Sequence, residues 1–253
     1  MAKEQWPKSN GQRKGSKDMR SLYLIVVCLG CFGLTQLLSA QDIGGGLKEN
    51  LDLPLDAMGE PGDEEDPPEV VTFYGQNLEG DGFFYAVDRS GSMQQSGELA
   101  RAKQEVSRNV SEFSSKTEFA VVFLDSGIQK FPSSGRPAQA SPGMKSAALS
   151  WVSGIPGGSG SCMMQGIREA LQFSNLSSAK RKVVVYVGDG GGTCHGAAEA
   201  QYLKEMISTI TGANFQRVQI NCIGVLMGSS RAMHRNYMKQ LAAANGGSYR
   251  EIQ

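Results

Sequence analysis

The sequence predicts a three-layer α/β domain, doubly wound around a mostly parallel sheet with one antiparallel edge strand. Three observations carry that expectation. Continuous apolar runs, Phe83 to Val87 and Val183 to Val187, read as strands buried on both faces. Between such runs lie segments with apolar residues at three- and four-residue steps, the clearest being Leu99, Ala102, Val106, Val110 and Phe113 within Glu98 to Ser114. Polar, glycine-rich loops separate the two kinds, and strand–helix alternation of this type closes into a parallel sheet covered on both sides.

In order along the chain, Val70 to Tyr74 reads as a short strand and Gly80-Asp81-Gly82 as a turn into Phe83 to Val87. Helix Glu98 to Ser114 follows, then strand Glu118 to Leu124. Asp125-Ser126-Gly127 turns that strand into Ile128 to Phe131, the expected antiparallel edge. Ser141-Pro142 has the cap-then-proline signature of a helix start, and that helix should reach about Trp151. A loop at Pro156 to Gly160 precedes a helix from Met163 to Phe173. After strand Val183 to Val187, helix Ala197 to Ile210 should close at Gly212, with strand Val218 to Val225 next. Helix Arg231 to Ala244 and a last strand, Tyr249 to Ile252, complete the domain, assigned to residues 70–253.

The 253-residue chain is 40% apolar with a formal net charge of zero, which allows a sizeable core and gives no general attraction to nucleic acid. The charge is uneven, however. Residues 1–20 are basic, with six Lys and Arg against Glu4 and Asp18, whereas residues 41–69 carry ten acidic side chains against Lys48 alone. Between them, in residues 21–40, Leu22 to Ala40 is uncharged and about long enough to cross a bilayer as a helix. The flanking charges predict a cytoplasmic N-terminus and an exported remainder, periplasmic, at the cell surface or anchored in the inner membrane. A signal peptide ending near Ser39-Ala40 and a retained signal anchor both remain open; Leu38 at position −3 fits a cleavage site poorly, and the long basic segment suits an anchor. Residues 41–69, rich in Gly, Pro, Asp and Glu, read as an extended acidic linker.

Chemistry concentrates in three polar loops on one edge of the sheet. Asp88-Arg89-Ser90-Gly91-Ser92 follows the first core strand, Gly157 to Ser161 opens a helix, and Gly188-Asp189-Gly190 ends the strand at Val187. Ligands of open α/β sheets sit outside the carboxyl ends of the strands, which is where these loops lie. Together they offer carboxylates and hydroxyls without His or Cys, an oxygen-only set suited to Mg²⁺ or Mn²⁺ rather than Zn²⁺. Simple capping of the turn and the next helix would explain Asp88 or Ser90, but not three converging loops. A phosphate cradle at Gly188 to Gly192 is disfavoured by Asp189 in its middle and by the lack of a P-loop lysine. Arg89 reads as a surface residue, although a cation there would favour an acidic partner. Cys222 reads as core packing.

Residues 70–253 resemble a von Willebrand factor type A domain with a metal-ion-dependent adhesion site, in a bacterial style of exported or anchored protein. The family's Asp-x-Ser-x-Ser is matched by Asp88, Ser90 and Ser92, its Asp-Gly by Asp189-Gly190, and its closing pattern by Ile223-Gly224 and Leu241-Ala242 through Gly246-Gly247-Ser248-Tyr249. The family's metal-binding Thr is represented by Ser161 when aligned from the helix start, or by Ser159 when aligned from Gly157-Gly158. The resemblance implies a Rossmann-like fold and a site of Asp88, Ser90, Ser92, Ser161 and Asp189. That site would hold Mg²⁺ (or Mn²⁺ or Ca²⁺) and engage an Asp or Glu carboxylate of a protein partner. It implies no enzymatic activity. Two alternatives stand beside it: a scaffold whose metal only stabilises the fold, and a metal-assisted hydrolase, for which no general base is visible in the sequence. Cys162 and Cys194, each a few residues beyond a proposed metal loop, pair in an exported domain or remain free thiols.

Overall fold

Phe83–Val87 lies where its apolarity requires, in the middle of a sheet. The computed structural model describes residues 67–192, 194 and 199–252. The basic segment, the expected signal or anchor helix at 21–40 and the linker up to residue 66 lie outside them. Among the described residues no helix is long and apolar enough to cross a membrane.

The order of elements is β1 (Glu69–Phe73), β2 (Gln76–Gly80), β3 (Gly82–Asp88), α1 (Gly91–Gln95), α2 (Glu98–Glu112), β4 (Glu118–Leu124), β5 (Ile128–Phe131), β6 (Ala138–Gln139) and α3 (Pro142–Gly154). It continues with α4 (Met163–Leu176), β7 (Lys182–Gly188), α5 (Glu199–Ala213), β8 (Gln219–Gly224), α6 (Ala232–Ala244) and β9 (Tyr249–Glu251), with a 3₁₀ turn (Ser229–Arg231) ahead of α6. The main sheet runs β5-β4-β3-β7-β8-β9. Its β4-β3-β7-β8-β9 stretch is parallel, while β5 and the short β6 pair antiparallel with β4. The expected three-layer architecture with an antiparallel edge is therefore present.

Alternation along the strands builds the layers. Phe83, Tyr85 and Val87 of β3, with Phe119, Val121 and Phe123 of β4, enter one core with Val106 and Val110 of α2 and Val152 of α3. Phe84 and Ala86, with Ala120, Val122 and Leu124, enter the other with Ile167 of α4, Met206 of α5 and Leu241 of α6. Both faces are thus dry, which is why the strands are apolar without a polar face.

Several boundaries differ from expectation. α3 reaches Gly154, and α5 runs through Gly212 to Ala213; the proposed start of α5 at Ala197 lies outside the described residues. The polar run Gln76–Gly80 is a strand, because the turn at Tyr74-Gly75, with φ of 49° and 74°, folds it back onto β1 as a separate hairpin. That hairpin is tied to α2 through Asn109, whose amide donates to the Thr72 carbonyl at 2.7 Å and whose oxygen accepts from the Tyr85 hydroxyl at 2.9 Å.

Helix α4 lies against β4 at Gly166, where an added Cβ would fall 2.1 Å from Leu124 Cδ2 and 3.0 Å from its Cβ. Replacing Gly166 with Leu should push the helix outward and destabilise the domain by about 1–3 kcal/mol through overpacking. Thermal and urea unfolding of Gly166→Leu check this; an unchanged Tm would mean that α4 does not sit so close.

Candidate metal site at the strand ends

The strand order reverses direction of growth at β3: β4 is added to one side and β7 to the other. The loops leaving β3 and β7 must therefore part, and the crevice between them is where open α/β sheets bind ligands. Asp88 is the last residue of β3, and Asp189 follows the last residue of β7. Gly188 makes room between them, since a Cβ there would lie 2.8 Å from Asp88 Cβ and 2.3 Å from the Tyr186 hydroxyl.

Both carboxylates are buried, Asp88 at 0% and Asp189 at 3% exposure. Asp88 Oδ1 accepts from the Ser90 N–H at 2.7 Å, and Oδ2 accepts from the Ser161 hydroxyl at 3.1 Å. The Ser90 and Ser92 hydroxyls are 3.1 Å apart, and Ser92 donates to Asp189 Oδ2 at 2.7 Å. Asp189 Oδ1 accepts from the Gly191 N–H at 2.9 Å. Ser161, Asp88, Ser90, Ser92 and Asp189 therefore form one connected oxygen-rich cluster drawn from three loops. Ser90 is the N-cap of α1, yet its side chain makes no cap hydrogen bond, so helix capping does not account for that hydroxyl. Ser159 stands apart: it is exposed, and its carbonyl accepts from the Ser126 N–H at 3.0 Å.

The donor set fits a hard divalent cation. It contains only oxygen, it brings two buried carboxylates together, and its hydroxyls add neutral oxygen donors beside them. Burial, first, and the nearby Asp189 charge push the Asp88 carboxyl up to about 7, against the opposing hydrogen bonds from Ser90 and Ser161.

Arg89 is not a surface residue. Its side chain is 9% exposed, its Nη2 lies 2.9 Å from Asp125 Oδ2, and its Nη1 donates to the Pro156 carbonyl at 3.1 Å. It turns inward because a carboxylate, Asp125, follows the end of β4 beside it, and no motif in the sequence singles that residue out. The cation at the opening is instead Arg231, whose Nη1 lies 3.0 Å from Asp189 Oδ2 and donates to the Asp189 carbonyl at 3.2 Å. Glu199 and His234 line the same opening, with His234 Nε2 2.8 Å from Glu199 Oε1, which also accepts from the Gly192 N–H at 3.1 Å. Sequence reasoning missed all three, because α5 and α6 bring them in from 10 to 45 residues beyond Asp189.

Cys162 and Cys194 are placed with their sulfurs in bonding contact and their Cα atoms 5.2 Å apart, within the span of a disulfide. Cys222 is a buried free thiol, pushed up to about 12 by burial.

No protein-family model matches the sequence, and no curated protein matches it. Solved structures do. A von Willebrand factor type A protein from Catenulispora acidiphila superposes with a TM-score of 0.59 at 16% identity, covering 70% of this chain and 40% of that one. The fold is that of a von Willebrand factor type A domain. The vWF domain of the type V pili tip protein Mfa5 from Porphyromonas gingivalis gives a TM-score of 0.54 at 12% identity over 67% of this chain and 89% of that one. The open conformation of the pilus adhesin SpaC from Lactobacillus rhamnosus GG gives 0.54 at 13% over 70% and 28%. The chain thus spans less than half the length of the Catenulispora protein and of SpaC.

The raised Asp88 pKa has a signed consequence. Between about pH 4 and pH 7 the folded state holds a proton on Asp88 that the unfolded chain, with an ordinary carboxyl, has released. Stability of the metal-free protein should therefore fall as pH rises through that window. Unfolding in EDTA from pH 5 to pH 8 should show this slope, and Asp88→Asn should flatten it; a slope of the same size in the mutant would assign it to other groups.

Proposed function

We propose that this chain is a non-enzymatic, metal-dependent protein-binding domain of an exported or membrane-anchored protein. Asp88, Ser90, Ser92, Ser161 and Asp189 are the residues that would hold Mg²⁺, or Mn²⁺ or Ca²⁺ in its place. The observation that carries the reading is the hydrogen-bonded cluster these five side chains make at the parting of β3 and β7. With only one of Asp88 and Asp189 bound directly, the hydroxyl ligands leave a divalent ion electrophilic, and Mg²⁺ retains exchangeable waters, so an Asp or Glu carboxylate of a partner protein is the natural further ligand. The fold neighbours include a pilus adhesin and a pilus tip protein, and that description, carried to this chain, favours recognition at a cell surface over catalysis. The apolar segment 22–40 between basic and acidic flanks supports export. A purely stabilising metal is the second reading, favoured by the burial of both carboxylates, which a cation would relieve with no partner bound.

Capture from surface extracts with the full chain as bait, in Mg²⁺ and in EDTA, separates the two. The protein-binding reading expects a partner retained in Mg²⁺, released by EDTA and missing from Asp88→Ala. At Mg²⁺ a hundredfold above its Kd the metal should also stabilise the fold by about 2.7 kcal/mol. Metal-dependent stability with a partner that ignores both EDTA and the mutation would leave the metal a structural element and move binding to another surface.

The cysteine pair belongs to the same reading. A Cys162–Cys194 bond would tie the start of α4, one residue past Ser161, to the loop after Asp189. A peptide map made without reductant should recover the two cysteines in one linked pair, and recovery of both as free thiols would remove that tie.

A further inference from the structure

Arg231 ends the 3₁₀ turn ahead of α6 and reaches over Asp189 from the solvent side, with 27% of its side chain exposed against 4% for Asp189. Both of its bonds to Asp189 use Nη1. Among the described residues no hydrogen bond engages Nη2 or Nε, neither is a buried orphan, and Arg231 lines the opening. The opening also contains Ser90, Ser92 and Ser161. Two other arginines near the strand ends are engaged elsewhere, Arg89 by Asp125 and Pro156 and Arg235 by Glu251 and the Met227 carbonyl. Glu199, the remaining carboxylate there, is held by His234 and the Gly192 N–H.

We propose that Arg231 is the residue that reads the partner: a side-chain carboxylate of an acidic peptide segment places one oxygen on the metal and accepts N–H donors of the Arg231 fork with the other. The inference rests on the metal-dependent reading above and adds a recognition residue to it. The planar fork suits a carboxylate held in two places, and charge-assisted bonds of this type are roughly twice as strong as neutral ones. Arg231 also sets metal against partner. Its positive charge beside Asp189 works against the incoming cation, and once the cation is bound the same charge favours the incoming anion. A residue serving only to hold Asp189 in place would help metal binding and have no separate effect on a carboxylate.

The experiment loads the full chain with Mn²⁺ and follows water-proton relaxation. The titrant is a short peptide with a single Glu between uncharged residues; its Gln counterpart and inorganic phosphate serve as comparisons. The Glu peptide should displace Mn²⁺-bound water and the Gln peptide should not. Arg231→Ala should bind Mn²⁺ at least as tightly as the unmodified chain while its affinity for the Glu peptide falls on the order of tenfold or more. Arg231→Lys, which keeps the charge and loses the fork, should recover part of that loss. Equal peptide affinity in Arg231→Ala overturns the proposal, as does weakened Mn²⁺ binding with peptide affinity for the loaded site unchanged. Displacement by phosphate but not by the Glu peptide replaces the carboxylate with a phosphorylated ligand and also overturns it. Absence of Mn²⁺ binding by the unmodified chain would refute the metal reading itself, and the Arg231 proposal with it.

Discussion

The structure turns on two buried carboxylates at the ends of adjacent parallel strands. Asp88 and Asp189 stand where β3 and β7 finish, each withdrawn from water and each partly satisfied by backbone N–H groups and serine hydroxyls. A buried carboxylate without a full counter-charge is unfavourable, and a second one nearby makes it more so. The serines share that load by donating, Arg231 covers one of the pair, and the raised Asp88 pKa records what remains uncompensated. A divalent cation is the most direct remedy for such a pair, which is why the site reads as one for metal.

The cluster stays in register because its loops are fastened to one another and not only to their strands. The Gly158 N–H donates to the Arg89 carbonyl at 2.7 Å, the Ser126 N–H to Ser159, and the Cys162 N–H to the Asp125 carbonyl at 2.8 Å. The Arg89–Asp125 pair lies beneath these bonds. Removing one partner of such a buried pair would leave an uncompensated charge among these loops. Ser161 donates to Asp88, while Ser159, two residues earlier, is exposed and is held through its carbonyl, which accepts from the Ser126 N–H. Close packing of α4 on β4 at Gly166 holds the same helix start from below.

Much of this was legible in advance because the signals are local. A strand buried on both faces must be apolar throughout, so β3, β4 and β7 announce themselves. Helices α2 and α4 carry their apolar stripe in their own spacing. Asp88, Ser90 and Ser92 occupy one turn, and their alternation of oxygen side chains is visible in five residues. By contrast, β2 and β6 are polar or very short, and pair only because a turn or a neighbouring edge brings them in. Arg89 looked exposed because its partner, Asp125, is distant in sequence and carries no motif. Arg231, Glu199 and His234 were invisible for the same reason.

By itself the sequence determined the α/β class, the parallel core and the oxygen chemistry of three loops, since each is written in residue type and short-range spacing. Tertiary structure alone decided which loops meet, that Ser161 and not Ser159 touches Asp88, and that Arg231 and not Arg89 is the cation left facing the opening. Those choices depend on where separate elements come to rest against one another, and a pattern within a single segment cannot encode that.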